Sequence, residues 1–72
     1  MIQLTEDVWC DAHIINRIEI KLVRDTKMFC AVYTLKDDST ILSKNYEDLD
    51  DLRYDVFCIV VKINEELRHE NY

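Results

Sequence analysis

Hydrophobic residues between positions 46 and 67 recur at steps of three and four, the spacing that places them on one face of an α-helix. The stripe they form consists of Leu49, Leu52, Val56, Ile59, Val60, Ile63 and Leu67. No Gly or Pro interrupts the segment, and its length of about twenty residues exceeds that of an ordinary strand. Because β-branched and aromatic residues crowd positions 56–61, a buried strand over residues 54–63 remains an alternative. The length of the pattern favours the helix.

The start of this helix is predicted from polar residues. Asn45 is the expected N-cap, because its side chain can accept a hydrogen bond from an unpaired backbone N–H of the first turn. The acids that follow it, Glu47, Asp48, Asp50 and Asp51, lie where the helix dipole favours negative charge.

Upstream of residue 46 the pattern changes to the alternation that is typical of strands. Even positions from Ile14 to Leu22 are mostly apolar and are expected to face the core, whereas Arg17, Glu19 and Lys21 are expected to face solvent. Residues 28–35 are apolar on both faces, which predicts a central strand. Shorter strands are predicted at residues 1–5, 8–10 and 40–43, with turns at 6–7, 24–27 and 36–39 and a one-turn break at 11–13. These elements predict an α+β fold: a small, mostly antiparallel sheet of four or five strands with one long C-terminal helix packed on it, in a single domain over residues 1–72.

Composition and charge remove several classes of function. The 72 residues include no Gly and no Pro, so a Gly-rich phosphate loop of the P-loop or Rossmann type is excluded. A net charge of −6 argues against direct binding to nucleic acid, which requires clustered Lys and Arg. The longest apolar run, residues 56–61, is too short to cross a bilayer, so no membrane interaction is expected.

Cysteine usage predicts the compartment. Cys10, Cys30 and Cys58 are widely spaced, form no CxxC pair and each lie in an apolar context, as buried free thiols do. No signal peptide precedes them, so a cytoplasmic location is expected.

Neither a catalytic nor a metal site is predicted. Cys10 and His13 are close in sequence, but no nucleophile elbow or oxyanion nest accompanies them. Glu65, Glu66 and His69 have the spacing by which one helix supplies two metal ligands, but a closed site needs two further ligands. We therefore predict a protein with no enzymatic activity, no cofactor and no metal.

The strongest functional signal is apolar surface. Tyr54, Phe57 and Val61 fall outside the helix stripe, and together with Trp9 and Tyr33 they exceed the apolar patch expected on a monomer. These five residues are the predicted anchors of a surface that binds a protein partner or a second copy in a homo-oligomer.

The acids Asp48, Asp50 and Asp51 are predicted to form a charged rim that sets the association rate and the choice of partner. As an alternative, these carboxylates mimic nucleic-acid phosphates and occupy the groove of a nucleic-acid-binding protein. A further alternative is a small ligand bound between subunits.

The order of segments resembles that of the small flagellar FlbD-like proteins. The chain starts with MIQLT, continues with HIINRIEI, and has the acidic turn DDST before a helix that opens with YEDLDDL. The resemblance spans nearly the whole chain and implies a fold with a C-terminal amphipathic helix, rather than a biochemical function. Asp38 departs from the family pattern, which tends to have Gly there. In composition, the chain also resembles short accessory proteins of bacteriophages, some of which inhibit restriction or other defence systems.

Overall fold

A computed structural model describes residues 1–70, with side chains described as far as Arg68. The side chains of the predicted polar end, residues 69–72, including His69, lie outside this description. The elements are β1 (Ile2–Gln3), β2 (Trp9–Cys10), a short 3-10 helix (Ala12–Ile14), β3 (Ile15–Val23), β4 (Met28–Leu35), β5 (Thr40–Leu42) and α1 (Leu49–Glu70). The predicted α+β class is confirmed.

The strands form two antiparallel sheets, not one. β1 pairs with β2, and β3, β4 and β5 form a three-stranded meander with β4 in the centre. The prediction of one sheet of four or five strands is therefore wrong. β1 and β2 are two residues long and, within residues 1–70, pair only with each other.

Residues other than Gly make the turns. Lys27 and Asp38 adopt left-handed backbone angles, with φ of 56° and 70°. Beside Asp38, the Asp37 carboxylate accepts hydrogen bonds from the Ser39 backbone N–H at 3.0 Å and from the Ser39 hydroxyl at 2.5 Å. The positive φ at Asp38 gives a physical reason why Gly is favourable at this turn position.

A β-bulge near the start of β3 changes which side chains face the core. The register shifts between Ile15 and Arg17, so Ile15 lies opposite Leu35 while Ile18 lies opposite Tyr33. Ile15 and Ile18 consequently pack against the core, whereas Ile14 is 39% exposed. The prediction that even positions face inward is wrong for Ile14, because Ile14 belongs to the 3-10 helix before β3 and the bulge that follows Ile15 shifts the alternation by one residue.

Further along β3, the same prediction fails for a different reason. Ile20 and Leu22 lie opposite Ala31 and Phe29, on the sheet face that also carries Tyr33. They are nevertheless 42% and 53% exposed. In the described part of the chain, this end of the hairpin therefore extends beyond the elements that cover the centre of the sheet.

The core lies between α1, β4 and the β1–β2 hairpin. Its buried cluster consists of Ile2, Leu4, Cys10, Ala31, Tyr33 and Leu52. Val56, Ile59 and Ile63 continue the contact of α1 at the predicted helical spacing. The helix is thus confirmed over residues 54–63, and the strand alternative is wrong. Cys10 and Cys30 are buried free thiols as predicted, and Cys58 is half-buried.

The helix begins later than predicted. Tyr46 forms a β-bridge with Phe29 through backbone hydrogen bonds of 2.7 and 2.8 Å, which hold the chain extended up to that point. Asp48, rather than Asn45, then acts as the N-cap, since its Oδ1 accepts a hydrogen bond from the Asp50 backbone N–H at 2.9 Å.

Candidate functional site: the outer face of the C-terminal helix

The side of α1 that points away from the core carries large apolar residues. Tyr54, Phe57 and Val61 are 69%, 64% and 37% exposed. At 100° per residue they lie about 140–200° around the helix from the buried Leu52. Polar residues extend the same line towards both helix ends. We define the outer face of α1 as Asp50, Tyr54, Phe57, Val61, Asn64 and Arg68, all of which are exposed.

Two polar contacts fix the orientation of this face by holding α1 against the rest of the molecule. The Tyr46 hydroxyl donates a hydrogen bond to Oδ2 of Asp55 at 2.6 Å, which ties the helix to the segment that follows β5. Near the other end, the N-terminal ammonium of Met1 lies 2.8 Å from a carboxylate oxygen of Glu66. Both contacts lie on the flank of the helix and leave the outer face uncovered.

Burial and the Asp55 carboxylate together raise the pKa of Tyr46 above its ordinary value, with burial as the larger cause. The Tyr46 phenol therefore stays protonated, and able to donate this hydrogen bond, well into the alkaline range.

The structure does not place the five predicted anchors on one surface. Tyr33 is 1% exposed and belongs to the core cluster, so its prediction as a surface anchor is wrong. It lies on the helix-facing side of the central strand, the side that also carries the fully buried Ala31. Burial, followed by the charge of Asp55, raises the pKa of Tyr33 to about 12.

Trp9 is exposed but lies elsewhere. Its side chain is 58% exposed and lines an open groove with Met1, Lys62 and Glu66, on the flank of α1. Lys62 is about 140° around the helix from Phe57. Trp9 is therefore separate from the outer face, and Tyr54, Phe57 and Val61 are the three predicted anchors that share it.

The predicted acidic rim lies at the helix N-terminus. Asp48, Asp50 and Asp51 are all exposed, and Asp50 belongs to the outer face. Asp48 already caps the helix, and Asp50 and Asp51 occupy the first turn, where the helix dipole favours negative charge. The three acids therefore have structural roles apart from any partner.

Sequence reasoning missed the C-terminal end of the outer face. Asn64 and Arg68 are not among the predicted site residues, because the prediction rests on apolar residues and on the acids at the helix start. The available signal was spacing: the steps from Asp50 to Arg68 alternate between four and three residues.

Other chemistry has little structural support. Burial and the neighbouring Asp11 raise the pKa of Cys10, which disfavours the reactive thiolate. Among the described side chains, no group of three or more His, Cys, Asp or Glu is arranged to hold a metal ion. Within residues 1–70, no helix combines the length and the apolar character that crossing a bilayer requires.

The chain was compared with family models, curated proteins and solved structures. No family model, no curated protein and no solved structure matches the chain. The resemblance to FlbD-like proteins stays a prediction.

Proposed function

We propose that this chain is a small, acidic, non-enzymatic protein-interaction module that acts in the cytoplasm by binding a protein partner through the outer face of α1. The observation that supports it is the exposure of Tyr54 and Phe57, 69% and 64%, on the side of the helix opposite the core. Three free thiols support a reducing compartment.

The energetics of interfaces favour this surface over the rest of the molecule. Aromatic side chains near the centre of an interface supply much of the binding free energy, because they bury large apolar area with little loss of conformational freedom. Phe57 and Tyr54 are one helical turn apart, so one partner surface can cover both. Asp50 and Arg68 at the ends of the same face provide charges of opposite sign that orient the partner.

A matched pair of substitutions tests the proposal. Phe57→Glu places a charge at the centre of the outer face, and we expect it to abolish partner binding while the helical circular dichroism signal is kept. Leu42→Glu is the control, because Leu42 is 62% exposed on β5, away from the helix. Tagged wild-type protein and both variants are compared in pull-downs, with mass-spectrometric identification of bound proteins. Equal capture by wild type and Phe57→Glu contradicts the proposal.

The salt dependence of the same pull-down distinguishes binding through the outer face from the alternative, in which the acids of the helix start mimic nucleic-acid phosphates. Binding through phosphate mimicry weakens steeply with salt and is lost when Asp48, Asp50 and Asp51 are all replaced by Asn. Binding through Phe57 and Tyr54 is retained at high salt, because burial of apolar surface is not screened. We expect the second result, since Asp48 is already engaged as the helix cap.

A further inference from the structure

The outer face of α1 has the layout of a short two-stranded coiled coil. We infer that its occupant is a second copy of this chain, whose α1 packs against it in the antiparallel direction. This inference rests on the proposed function, because it names the partner of the same surface.

The first support is the spacing of the face. Its residues follow one another at steps of four, three, four, three and four from Asp50 to Arg68. This is the a and d pattern of a heptad repeat, the period at which two helices stay in contact along a seam. The apolar residues Tyr54, Phe57 and Val61 occupy the middle, and the seam is about 27 Å long at 1.5 Å per residue.

The second support is the charge at the two ends of the seam. In a parallel pair, Asp50 of each copy lies beside Asp50 of the other, and Arg68 beside Arg68, so both ends repel. In an antiparallel pair centred on position 59, Asp50 of each copy lies level with Arg68 of the other. Both ends then attract, and the two helix dipoles are also opposed.

An antiparallel pair centred on position 59 also brings the apolar residues of the two helices level with each other. Phe57 of one copy lies level with Val61 of the other, and the symmetry repeats this contact. Tyr54 lies level with Asn64, whose amide can hydrogen-bond to the phenol. In an antiparallel pair of heptad helices, an a residue of one helix lies level with a d residue of the other, which gives paired layers of this kind.

The antiparallel arrangement also contains one repulsive contact, between two acids, which provides a control. Asp51 lies on the flank of the seam, on the same side as Glu65 of the second copy, so these two carboxylates face each other. Removing the charge of Asp51 is expected to keep or strengthen the dimer. Reversing the charge of Asp50, in the same helical turn, is expected to weaken it.

Sedimentation equilibrium of the purified full chain tests the inference. We expect the wild type to dimerise. Asp50→Arg and Arg68→Asp are each expected to raise the dissociation constant about tenfold, because two ion pairs become two like-charge contacts. The double variant restores opposite charges and is expected to return to within about threefold of the wild type. Asp51→Arg has the same cost against the helix dipole and is the control, with no weakening expected. Circular dichroism checks that each variant keeps its helix.

The outcomes separate this inference from the proposed function. A wild type that stays monomeric overturns the inference, while Phe57-dependent capture of a different protein still supports the function. A dimer that Phe57→Glu does not weaken overturns the inference. The proposed function is then decided by whether Phe57→Glu abolishes the capture of a different protein in the pull-down. A dimer lost in Phe57→Glu but not rescued by the double charge reversal overturns the antiparallel arrangement.

Discussion

The hydrogen bond between Tyr46 and Asp55 is expected to be the strongest single polar contact between α1 and the rest of the protein. The donor and acceptor oxygens are 2.6 Å apart, and the contact is partly buried. A hydrogen bond to a charged group contributes about 1.5–3 kcal/mol to stability, and we take about 2 kcal/mol for Tyr46→Phe. Unfolding entropy of about 2.1 cal/mol/K per residue, over the 72 residues of this chain, converts this into a drop of about 13 °C in Tm.

A double-mutant cycle measured by thermal unfolding isolates this contact. Tyr46→Phe, Asp55→Asn and the double variant are compared with the wild type, and the coupling free energy between the two sites is expected to exceed about 1 kcal/mol. Thr40→Val is the control, because it removes a hydroxyl from an exposed residue of β5, away from α1, and should leave Tm unchanged. A coupling below about 0.5 kcal/mol would refute the role of this contact in holding α1 in place.

Three further perturbations test the core, the helix cap and a buried phenol. Leu52→Ala removes a side chain that is 1% exposed and should lower the free energy of unfolding by about 2–5 kcal/mol, whereas Leu42→Ala, at a 62% exposed position, should change it little. Asp48→Ala removes the N-cap and should cost about 1 kcal/mol, measured by urea unfolding. The pKa of Tyr33 is raised from 10.0 to about 12, so the folded state holds this proton more tightly than the unfolded state. The resulting stability, about 2–3 kcal/mol, is present below pH 10 and should be lost as pH rises towards 12. Because the pKa of Tyr46 is raised as well, Tyr33→Phe should reduce this alkaline loss of stability rather than abolish it, as followed by tyrosinate absorbance and circular dichroism.

The sequence predicted the elements better than their arrangement, for physical reasons. The period of α1 and the alternation of β3 and β4 are local properties of the chain, so they could be read directly. Whether β1 joins the main sheet depends on backbone pairing over long distances in sequence, for which two-residue strands carry almost no signal. The bulge between Ile15 and Arg17 was equally hidden, because a single inserted residue leaves an apolar pattern that fits either face.

In the candidate site, too, local pattern predicts some residues correctly, whereas residues whose exposure depends on tertiary packing are not predicted. Tyr54, Phe57 and Val61 were predicted as surface because a helix stripe has only one covered side, and helical geometry alone identifies the opposite side. Tyr33 could not be placed in this way. It lies in a strand that is apolar on both faces, and alternation does not say which of the two faces another element covers.

The size of the core gives a reason for an apolar outer face. Only eight hydrophobic residues of the described chain are buried, and Leu52 is the one that α1 supplies. A domain of this length buries about 60% of its unfolded surface and is marginally stable alone. If selection acted on the monomer alone, polar residues at positions 54, 57 and 61 would keep the helix equally well and would avoid exposing aromatic rings. The proposed interface gives a reason for their exposure, because burial against another protein surface would add free energy that the small core does not supply, and we therefore expect folding and association to be linked.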